Sequence, residues 1–247
     1  MIRPYYEENG IAIYNGDCLE VMKQFEDKSF DLVLTDPPYG ARTDENIDEV
    51  IMRLEESFKK IVTEGGAFVM CDYRNVHKIA TSLQKTLPLV NEIIWKVGWV
   101  SGYRSFTKKK FVVNHNYILQ FGNIHTFSNI GRNPKTKIRA RYNTPTKRVA
   151  LDTVWDDIPS VRQTSFYKIK TGHPDEKPVR LFTRILGCSG TIFNLDPFMG
   201  SGTTLVAAKK LNRKAVGIEI SEKYCEMAVK RLKLTVRPLV SGWEKYR

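Results

Sequence analysis

A glycine-rich loop between an apolar stretch and a helical run most strongly constrains how this chain can fold. The sequence NLDPFMGSGTTL occupies residues 194–205 of 247, between a predicted strand at 191–195 and a predicted helix at 202–211. Glycine allows a sharp turn and a close approach of a ligand to the backbone. A strand, a glycine loop and a helix in succession are typical of α/β folds, whose ligands bind at the carboxyl ends of parallel strands.

The same alternation extends over the rest of the chain. Apolar runs predict further strands at 10–14, 31–35, 67–71, 92–97, 117–121 and 215–220, and helical spacing predicts helices at 19–25, 47–62, 76–86 and 221–232. Gly65-Gly66 is expected to form a turn, and Pro178 to lie early in a further helix. The pattern predicts an α/β fold with a mostly parallel, twisted sheet and helices on both faces.

The residues around the glycine loop indicate which ligand it holds. Glu219 follows Gly200 by nineteen residues, at the end of a predicted strand. A carboxylate there can accept hydrogen bonds from ribose hydroxyls, which indicates an adenosine-containing ligand. The lysine of a phosphate-binding loop is missing, and Leu205 stands where a dinucleotide fingerprint has its third glycine. Pyrophosphate ligands and a NAD-dependent dehydrogenase are therefore disfavoured, while a purely structural turn remains an alternative.

A second unusual motif, Asp36-Pro37-Pro38-Tyr39, follows the predicted strand at 31–35. The turn is stiff because each proline fixes its own φ and restricts the residue before it. The Asp36 carboxylate and the Pro37 carbonyl can accept both hydrogens of an amino group, and Tyr39 can stack on the ring that carries it. The motif therefore suits an exocyclic amine on a flat base, with an ordinary proline-rich turn as the alternative.

The net charge of +12 is confined to one part of the chain. Residues 96–170 contain 15 Lys+Arg and 3 Asp+Glu, which leaves 39 − 15 = 24 bases and 27 − 3 = 24 acids elsewhere. A basic block this localised favours a nucleic-acid partner over a generally basic surface. Within it, residues 122–170 show poor periodicity and are predicted to form an inserted, loop-rich recognition segment.

Other features bear on compartment and metal content. No window of eighteen apolar residues occurs and the N-terminus has no apolar core, so we expect neither a membrane span nor a signal peptide. The four cysteines form no CxxC pair and no metal-ligand cluster is visible. We therefore expect reduced thiols, no bound metal and a cytoplasmic location.

Taken together, the two motifs resemble those of the amino-methyltransferases, which transfer a methyl group from S-adenosylmethionine to an exocyclic amine. TDPPYG at 35–40 is similar to their catalytic motif, and DPFMGSGTT at 196–204 is similar to their cofactor loop. The resemblance extends to NGDC at 15–18, to His173-Pro174 with Lys177-Pro178, and to NHNYILQF at 114–121. It implies the Rossmann-like fold of S-adenosylmethionine-dependent methyltransferases.

The order of the motifs narrows this resemblance. The catalytic motif comes first, the basic segment second and the cofactor loop last, which is similar to the circularly permuted β group of bacterial and phage DNA amino-methyltransferases. This group implies double-stranded DNA as the partner and leaves a homodimer open; the order disfavours protein glutamine methyltransferases and most RNA methyltransferases. The implied organisation is a first half of the catalytic core at 1–121, a basic target-recognition insertion at 122–170, a second half at 171–236 and a C-terminal arm at 237–247.

The resemblance also assigns roles to individual residues. It implies a catalytic role for Asp36, Pro37, Pro38 and Tyr39, and cofactor binding by Asp17, Cys18, Lys177, Asp196, Phe198, Gly200, Ser201, Gly202, Thr203 and Glu219. Within that set, Glu219 corresponds to the ribose-binding acid, and Lys177 to a lysine near the cofactor carboxylate, with a solvated charge as the alternative. One departure is His115-Asn116-Tyr117, where many relatives have His-Glu-Tyr, so no role is expected for an acid at that position.

The choice of base depends on one residue. The DPPY motif is similar to that of enzymes that methylate N6 of a flipped-out adenine, whereas N4-cytosine enzymes more often carry Ser in place of Asp36. Adenine N6 is therefore the expected target and cytosine N4 the alternative. An RNA methyltransferase and a catalytically silent DNA-binding protein on this fold are further alternatives.

The basic block supplies the expected DNA contacts. Its cations are interleaved with aromatic residues, a combination suited to phosphates and unstacked bases. The expected DNA-binding residues are Arg104, Lys108, Lys109, Lys110, Arg132, Lys135, Lys137, Arg139, Arg141, Lys147 and Arg148.

Overall fold

The computed structural model describes residues 2–38, 46–97, 113–124, 153–161 and 176–236. Within these ranges the strands are β1 (Tyr6–Glu8), β2 (Ile11–Asn15), β3 (Phe30–Thr35), β4 (Ile61–Cys71), β5 (Leu89–Lys96), β6 (His115–Gly122), β7 (Val154–Trp155), β8 (Phe193–Asp196) and β9 (Lys214–Glu219). The helices are α1 (Cys18–Met22), α2 (Ile47–Lys59), α3 (Val76–Leu83), α4 (Val179–Ser189), α5 (Thr203–Lys210) and α6 (Glu222–Leu234).

These strands form one mixed sheet in the order β1-β2-β9-β8-β3-β4-β6-β5-β7. The five strands from β2 to β4 in that order are mutually parallel. Antiparallel pairs lie on both sides of them, β1 with β2 on one side and β6 with β4 and β5 on the other. The carboxyl ends of the central strands therefore meet at one edge of the sheet, as expected for an α/β fold.

Helices cover both faces of the sheet, as predicted. Residues on alternate positions of a strand point to opposite faces, so Leu32 and Leu34 of β3 pack on one side and Val33 on the other. The first side is covered by α4, α5 and α6, and the second by α1, α2 and α3. Burial of the sheet on both faces explains why its central strands read as continuous apolar runs.

The predicted turn at Gly65-Gly66 is wrong. The helix predicted at 47–62 ends at Lys59, and β4 then runs without a break from Ile61 through both glycines. Gly66 pairs with β3 on one side and β6 on the other. A Cβ atom at Gly66 would lie 2.3 Å from the Phe121 carbonyl oxygen, so glycine here permits the close approach of β6 rather than a turn.

Part of the predicted recognition segment belongs to the sheet. Residues 153–161 lie within the range 122–170, and their strand β7 pairs in parallel with β5. Trp155, Ile158 and Val161 are buried, and the Trp95 indole donates to the Ile158 carbonyl oxygen at 2.7 Å. The boundaries of the insertion remain a prediction, because the rest of the segment lies outside the described residues apart from 122–124.

Three helix starts show how local sequence sets the elements. Asp17 and Asn46 occupy the N-cap positions of α1 and α2. The Asp17 side chain accepts from two backbone N–H groups of the first turn and that of Asn46 from one. Pro178 was predicted to lie early within a helix, but it is the N-cap residue just before α4. Among the described helices, none is long and apolar enough to cross a membrane.

Candidate active site

The two motifs meet at the carboxyl edge of the sheet. β3 ends at Thr35 and leads directly into Asp36, while the neighbouring strand β8 ends at Asp196 and leads into the glycine loop. The Thr35 hydroxyl donates to Asp196 at 2.7 Å, so a side-chain hydrogen bond joins the two strand ends. The parallel pairing of β3 with β8 thus brings together residues that are 161 positions apart in the chain.

The Asp196 side chain accepts three hydrogen bonds at this junction. It is 2% exposed and accepts from the hydroxyls of Thr35 and Thr204 and from the backbone N–H of Phe198. These donors come from β3, α5 and the glycine loop. The carboxylate therefore fixes the loop to the strand ends, while its predicted contact with the cofactor remains a prediction.

Burial raises the pKa of Asp196 to about 7, because the charged form is deprived of water; the three hydrogen bonds oppose that shift and nearby Asp36 adds to it. The unfolded carboxyl has a pKa of about 4. The folded state therefore holds the proton more tightly, and it is this protonated form that folding favours.

This pKa shift predicts a pH dependence of stability. The Asp196 contribution is fully present below about pH 4. It falls as the pH rises through the folded pKa of about 7 and then levels off. Asp196→Asn keeps the shape but has no proton to lose, so its melting temperature should fall less between pH 4 and pH 7. Thermal melts of both proteins at matched ionic strength measure this difference, and parallel profiles would contradict it.

Glu219 reaches the glycine loop from the end of β9. Its two carboxylate oxygens accept from the backbone N–H groups of Gly200 at 3.0 Å and Ser221 at 2.8 Å. The Gly16 N–H, just after β2, donates to the Glu219 carbonyl oxygen at 3.0 Å. Each carboxylate oxygen has more than one acceptor site. Glu219 can therefore brace the loop and still accept hydrogen bonds from a ligand.

A cleft joins the Asp36 motif to the glycine loop. It lies between Asp36 and the segment 198–204, and Phe182 and Met199 add apolar surface to it. The Lys177 ammonium forms an ion pair with Oδ2 of Asp36, from the segment that precedes α4. The structure thus pairs Lys177 with the Asp36 carboxylate, a contact that the sequence did not predict.

Asp17 and Cys18 lie at the same edge of the sheet, after β2. Asp17 accepts from the Leu19 N–H at 2.8 Å and is 3.5 Å from an Arg53 nitrogen, so its carboxylate caps α1. Burial raises the pKa of the Cys18 thiol to about 12, so this thiol stays protonated at neutral pH. Cys18 can therefore line a binding surface but is a poor nucleophile.

Several predicted site residues lie outside the described part of the chain. They are Tyr39 of the catalytic motif, His173 and Pro174, and the expected DNA contacts Arg104, Lys108, Lys109, Lys110, Arg132, Lys135, Lys137, Arg139, Arg141, Lys147 and Arg148. Their assigned roles remain predictions.

Two charged residues of the site were not predicted from sequence. Glu176 lines the cleft, and Arg231 of α6 donates to Ser201 and Thr203 of the loop. The two form an ion pair at 3.1 Å. Arg231 is one of several basic residues in the sequence of α6. Nothing in that sequence distinguishes it from a solvent-exposed cation.

The cleft between Asp36 and the glycine loop, with Glu219 at the end of the neighbouring strand β9, is typical of an α/β protein that binds a nucleoside-containing cofactor. The chain belongs to the DNA methylase family that comprises N6 and N4 methyltransferases, whose model matches residues 30–230. It is 31% identical to the type II methyltransferase M.ScaI of Streptomyces caespitosus, over 96% of this chain and 86% of that protein.

Solved structures have the same fold. TTHA0409 of Thermus thermophilus, a putative DNA modification methylase complexed with S-adenosylmethionine, has a TM-score of 0.64 and 23% identity, over 93% of this chain and 97% of that one. The PvuII DNA methyltransferase, described as cytosine-N4-specific, has a TM-score of 0.72 and 18% identity, over 99% and 92%. The solved structures show the shared fold, while the family match and the identity to M.ScaI make the chain an S-adenosylmethionine-dependent DNA methyltransferase.

The residues at the carboxyl edge fit this cofactor. S-adenosylmethionine carries a ribose diol, an amino acid group and a sulfonium but no phosphate. The site offers the Glu219 carboxylate at the strand end, which accepts from the Gly200 N–H and has acceptor sites left for a ribose diol. The cleft also has apolar walls at Phe182 and Phe198, which suit the methylene groups of the methionine part of the cofactor.

Proposed function

We propose that the protein methylates the exocyclic N6 amine of a flipped-out adenine at a specific site in double-stranded DNA. The single observation that supports this proposal most strongly is the cleft in which Asp36 of the DPPY motif faces the glycine loop. A base amine held by Asp36 would lie beside a cofactor held by the loop. Such proximity is the main requirement of a direct transfer.

In this mechanism the catalytic motif raises the reactivity of the amine. An aromatic amine is a poor nucleophile because its lone pair is delocalised into the ring. The Asp36 carboxylate and the Pro37 carbonyl would accept its two hydrogens and favour a pyramidal nitrogen. When bound, S-adenosylmethionine supplies an electrophilic methyl group on its sulfonium. The Asp36 carboxylate is also the acceptor in reach for the proton that the nitrogen must lose.

The ion pair between Lys177 and Asp36 is compatible with this role. Lys177 contacts Oδ2, which leaves Oδ1 of Asp36 available to the amine. A carboxylate has about four acceptor sites in total, so one ammonium does not saturate it. Lys177 would hold the carboxylate in its rotamer, and the predicted contact of the same lysine with the cofactor carboxylate belongs to this proposal.

The remaining assignments follow the same edge of the sheet. Glu219 would bind the ribose hydroxyls, residues 200–203 and Phe198 the methionine part, and Asp17 with Cys18 the adenine ring of the cofactor. Tyr39 would stack on the flipped base, and the basic block at 96–170 would offset the cost of flipping, which is about a few kcal/mol. The permuted motif order of the β group supports DNA rather than RNA as the substrate.

Cytosine N4 is the second candidate, and a specific observation favours it. The family model covers both N6 and N4 enzymes, and the cytosine-N4-specific PvuII enzyme shares the fold with a TM-score of 0.72. Asp36 is the sequence feature that favours adenine, since N4-cytosine enzymes more often have Ser at that position.

Product analysis decides between the two bases. The purified protein is incubated with radiolabelled S-adenosylmethionine and unmethylated genomic DNA, and the digest is separated into nucleosides. We expect N6-methyladenine; N4-methylcytosine as the only product would overturn the adenine assignment. Transfer to RNA in preference to DNA, or cofactor binding without any transfer, would overturn the proposed substrate.

A further inference from the structure

Arg231 occupies an unusual position behind the glycine loop. It belongs to α6, yet its side chain is only 11% exposed and its guanidinium points at the loop. One terminal nitrogen, Nη1, lies 2.8 Å from the Ser201 carbonyl oxygen, 2.8 Å from the Ser201 hydroxyl and 3.1 Å from the Thr203 hydroxyl. A single cation therefore contacts both residues that flank Gly202.

The other terminal nitrogen of Arg231 is paired with an acid. Nη2 lies 3.1 Å from Oε1 of Glu176, whose side chain is 9% exposed. Burial lowers the pKa of Arg231 and Glu176 opposes the shift. A buried cation is costly unless it is paired and hydrogen-bonded. The fork geometry of arginine meets both needs at once, because one arm holds the loop and the other holds the acid.

Glu176 connects this cation to the catalytic motif. It is followed directly by Lys177, whose ammonium pairs with Asp36. The Thr203 hydroxyl also lies 3.5 Å from the Lys177 carbonyl oxygen. Arg231, Glu176, Lys177 and Asp36 thus form a row of alternating charges from α6, behind the loop, to the end of β3. Two ion pairs and the peptide bond between Glu176 and Lys177 therefore connect the loop side of α6 to the Asp36 carboxylate.

We propose that Arg231 is a positioning residue that holds the 200–203 loop in its cofactor-binding conformation, with Glu176 as its anchor. This inference rests on the proposed assignment of the loop to the cofactor. Arg231 acts through Ser201 and Thr203, so its loss should weaken binding of S-adenosylmethionine more than it slows transfer at saturating cofactor.

The test compares three variants of the full chain by isothermal titration calorimetry with S-adenosylmethionine. Arg231→Met removes both arms, and we expect its Kd to rise about 10- to 100-fold, as for the loss of hydrogen bonds to a charged group. Arg231→Lys keeps the charge but not the fork and should bind with intermediate affinity. Lys230→Met is the matched control, because Lys230 neighbours Arg231 on α6 but is 78% exposed, and its Kd should not change.

Steady-state kinetics and thermal melts separate positioning from simple destabilisation. We expect KM for S-adenosylmethionine to rise more than kcat falls in Arg231→Lys and in Glu176→Gln. The double variant should lose less affinity than the sum of the two single losses, because both changes break the same link. Unchanged cofactor affinity in Arg231→Lys and Glu176→Gln, or fully additive losses, would overturn the proposal even if Arg231→Met does not fold.

Failure of the proposed function would give a different pattern. If the product is N4-methylcytosine, the base assignment fails while the affinity differences among the Arg231 variants remain. If Gly202→Ala binds S-adenosylmethionine as tightly as the unchanged protein, the assignment of the loop itself fails, whichever result Arg231 gives.

Discussion

Asp36→Ala is expected to lower the rate of methyl transfer to DNA by about 10²–10³-fold, the usual loss when one group that stabilises a transition state is removed. The alanine variant has no carboxylate to accept an amino hydrogen or the departing proton. Asp36→Asn keeps a carbonyl acceptor without the charge and should retain an intermediate rate. Single-turnover transfer from radiolabelled S-adenosylmethionine measures the chemical step directly. Asp36 follows β3, whereas the loop that is proposed to hold the cofactor follows β8, so cofactor binding should survive.

Asp27→Ala is the matched control for this loss. Asp27 also pairs with a lysine, Lys60 at 2.7 Å, but its side chain is 66% exposed, and it does not line the cleft. Its removal should leave the rate unchanged. A rate near that of the unchanged protein in Asp36→Ala would remove Asp36 from the mechanism, and equal losses in both variants would point to a nonspecific effect of charge.

The local parts of the site could be predicted from sequence. The glycine loop and the Asp36 motif each follow an apolar strand, Glu219 is the last residue of another, and strand ends of an α/β sheet meet at one edge. In agreement with this rule, the structure places Asp36 and the loop in one cleft. Predictions of this kind succeed because the signal depends only on neighbours in the chain.

Contacts that depend on distant packing could not be predicted. Lys177 was expected near the cofactor carboxylate, and the structure pairs it with Asp36, 141 residues away. Arg231 lies 30 residues from Ser201, and only the packing of α6 behind the loop brings them together. The sequence does not indicate which acid a lysine or arginine will pair with in the folded protein.

The errors in the predicted fold come from a pair of glycines and from a very short strand. Gly65-Gly66 was interpreted as a turn because glycine is common in turns, but Gly66 serves the close approach of β4 and β6. The two-residue strand β7 is too short to show any periodicity in the basic segment. Pairing with β5 and the burial of Trp155 define it, and both are tertiary effects.

Gly202→Ala is expected to weaken binding of S-adenosylmethionine by at least about tenfold and to lower the melting temperature by roughly 5–15 °C. Gly202 has a φ of +77°, which costs a residue with a side chain about 1–2 kcal/mol. The added Cβ would also lie 2.7 Å from the Cβ of Ala228 in α6. Such overpacking costs about 1–3 kcal/mol. To relieve it, either the loop or α6 must move, and α6 carries the arginine that holds the loop.

Gly190→Ala separates the two causes of this effect. Gly190 ends α4 with a φ of +66° and is exposed, so alanine there meets the backbone strain without the contact to α6. It should lower the melting temperature by a few degrees, at about 2–4 °C per kcal/mol, and leave cofactor affinity unchanged. Calorimetric titration of both variants gives the comparison. Equal affinities for Gly202→Ala and the unchanged protein would show that the loop geometry does not control cofactor binding. A selective loss at Gly202 would tie binding to the fit between the loop and α6, since only that variant disturbs it.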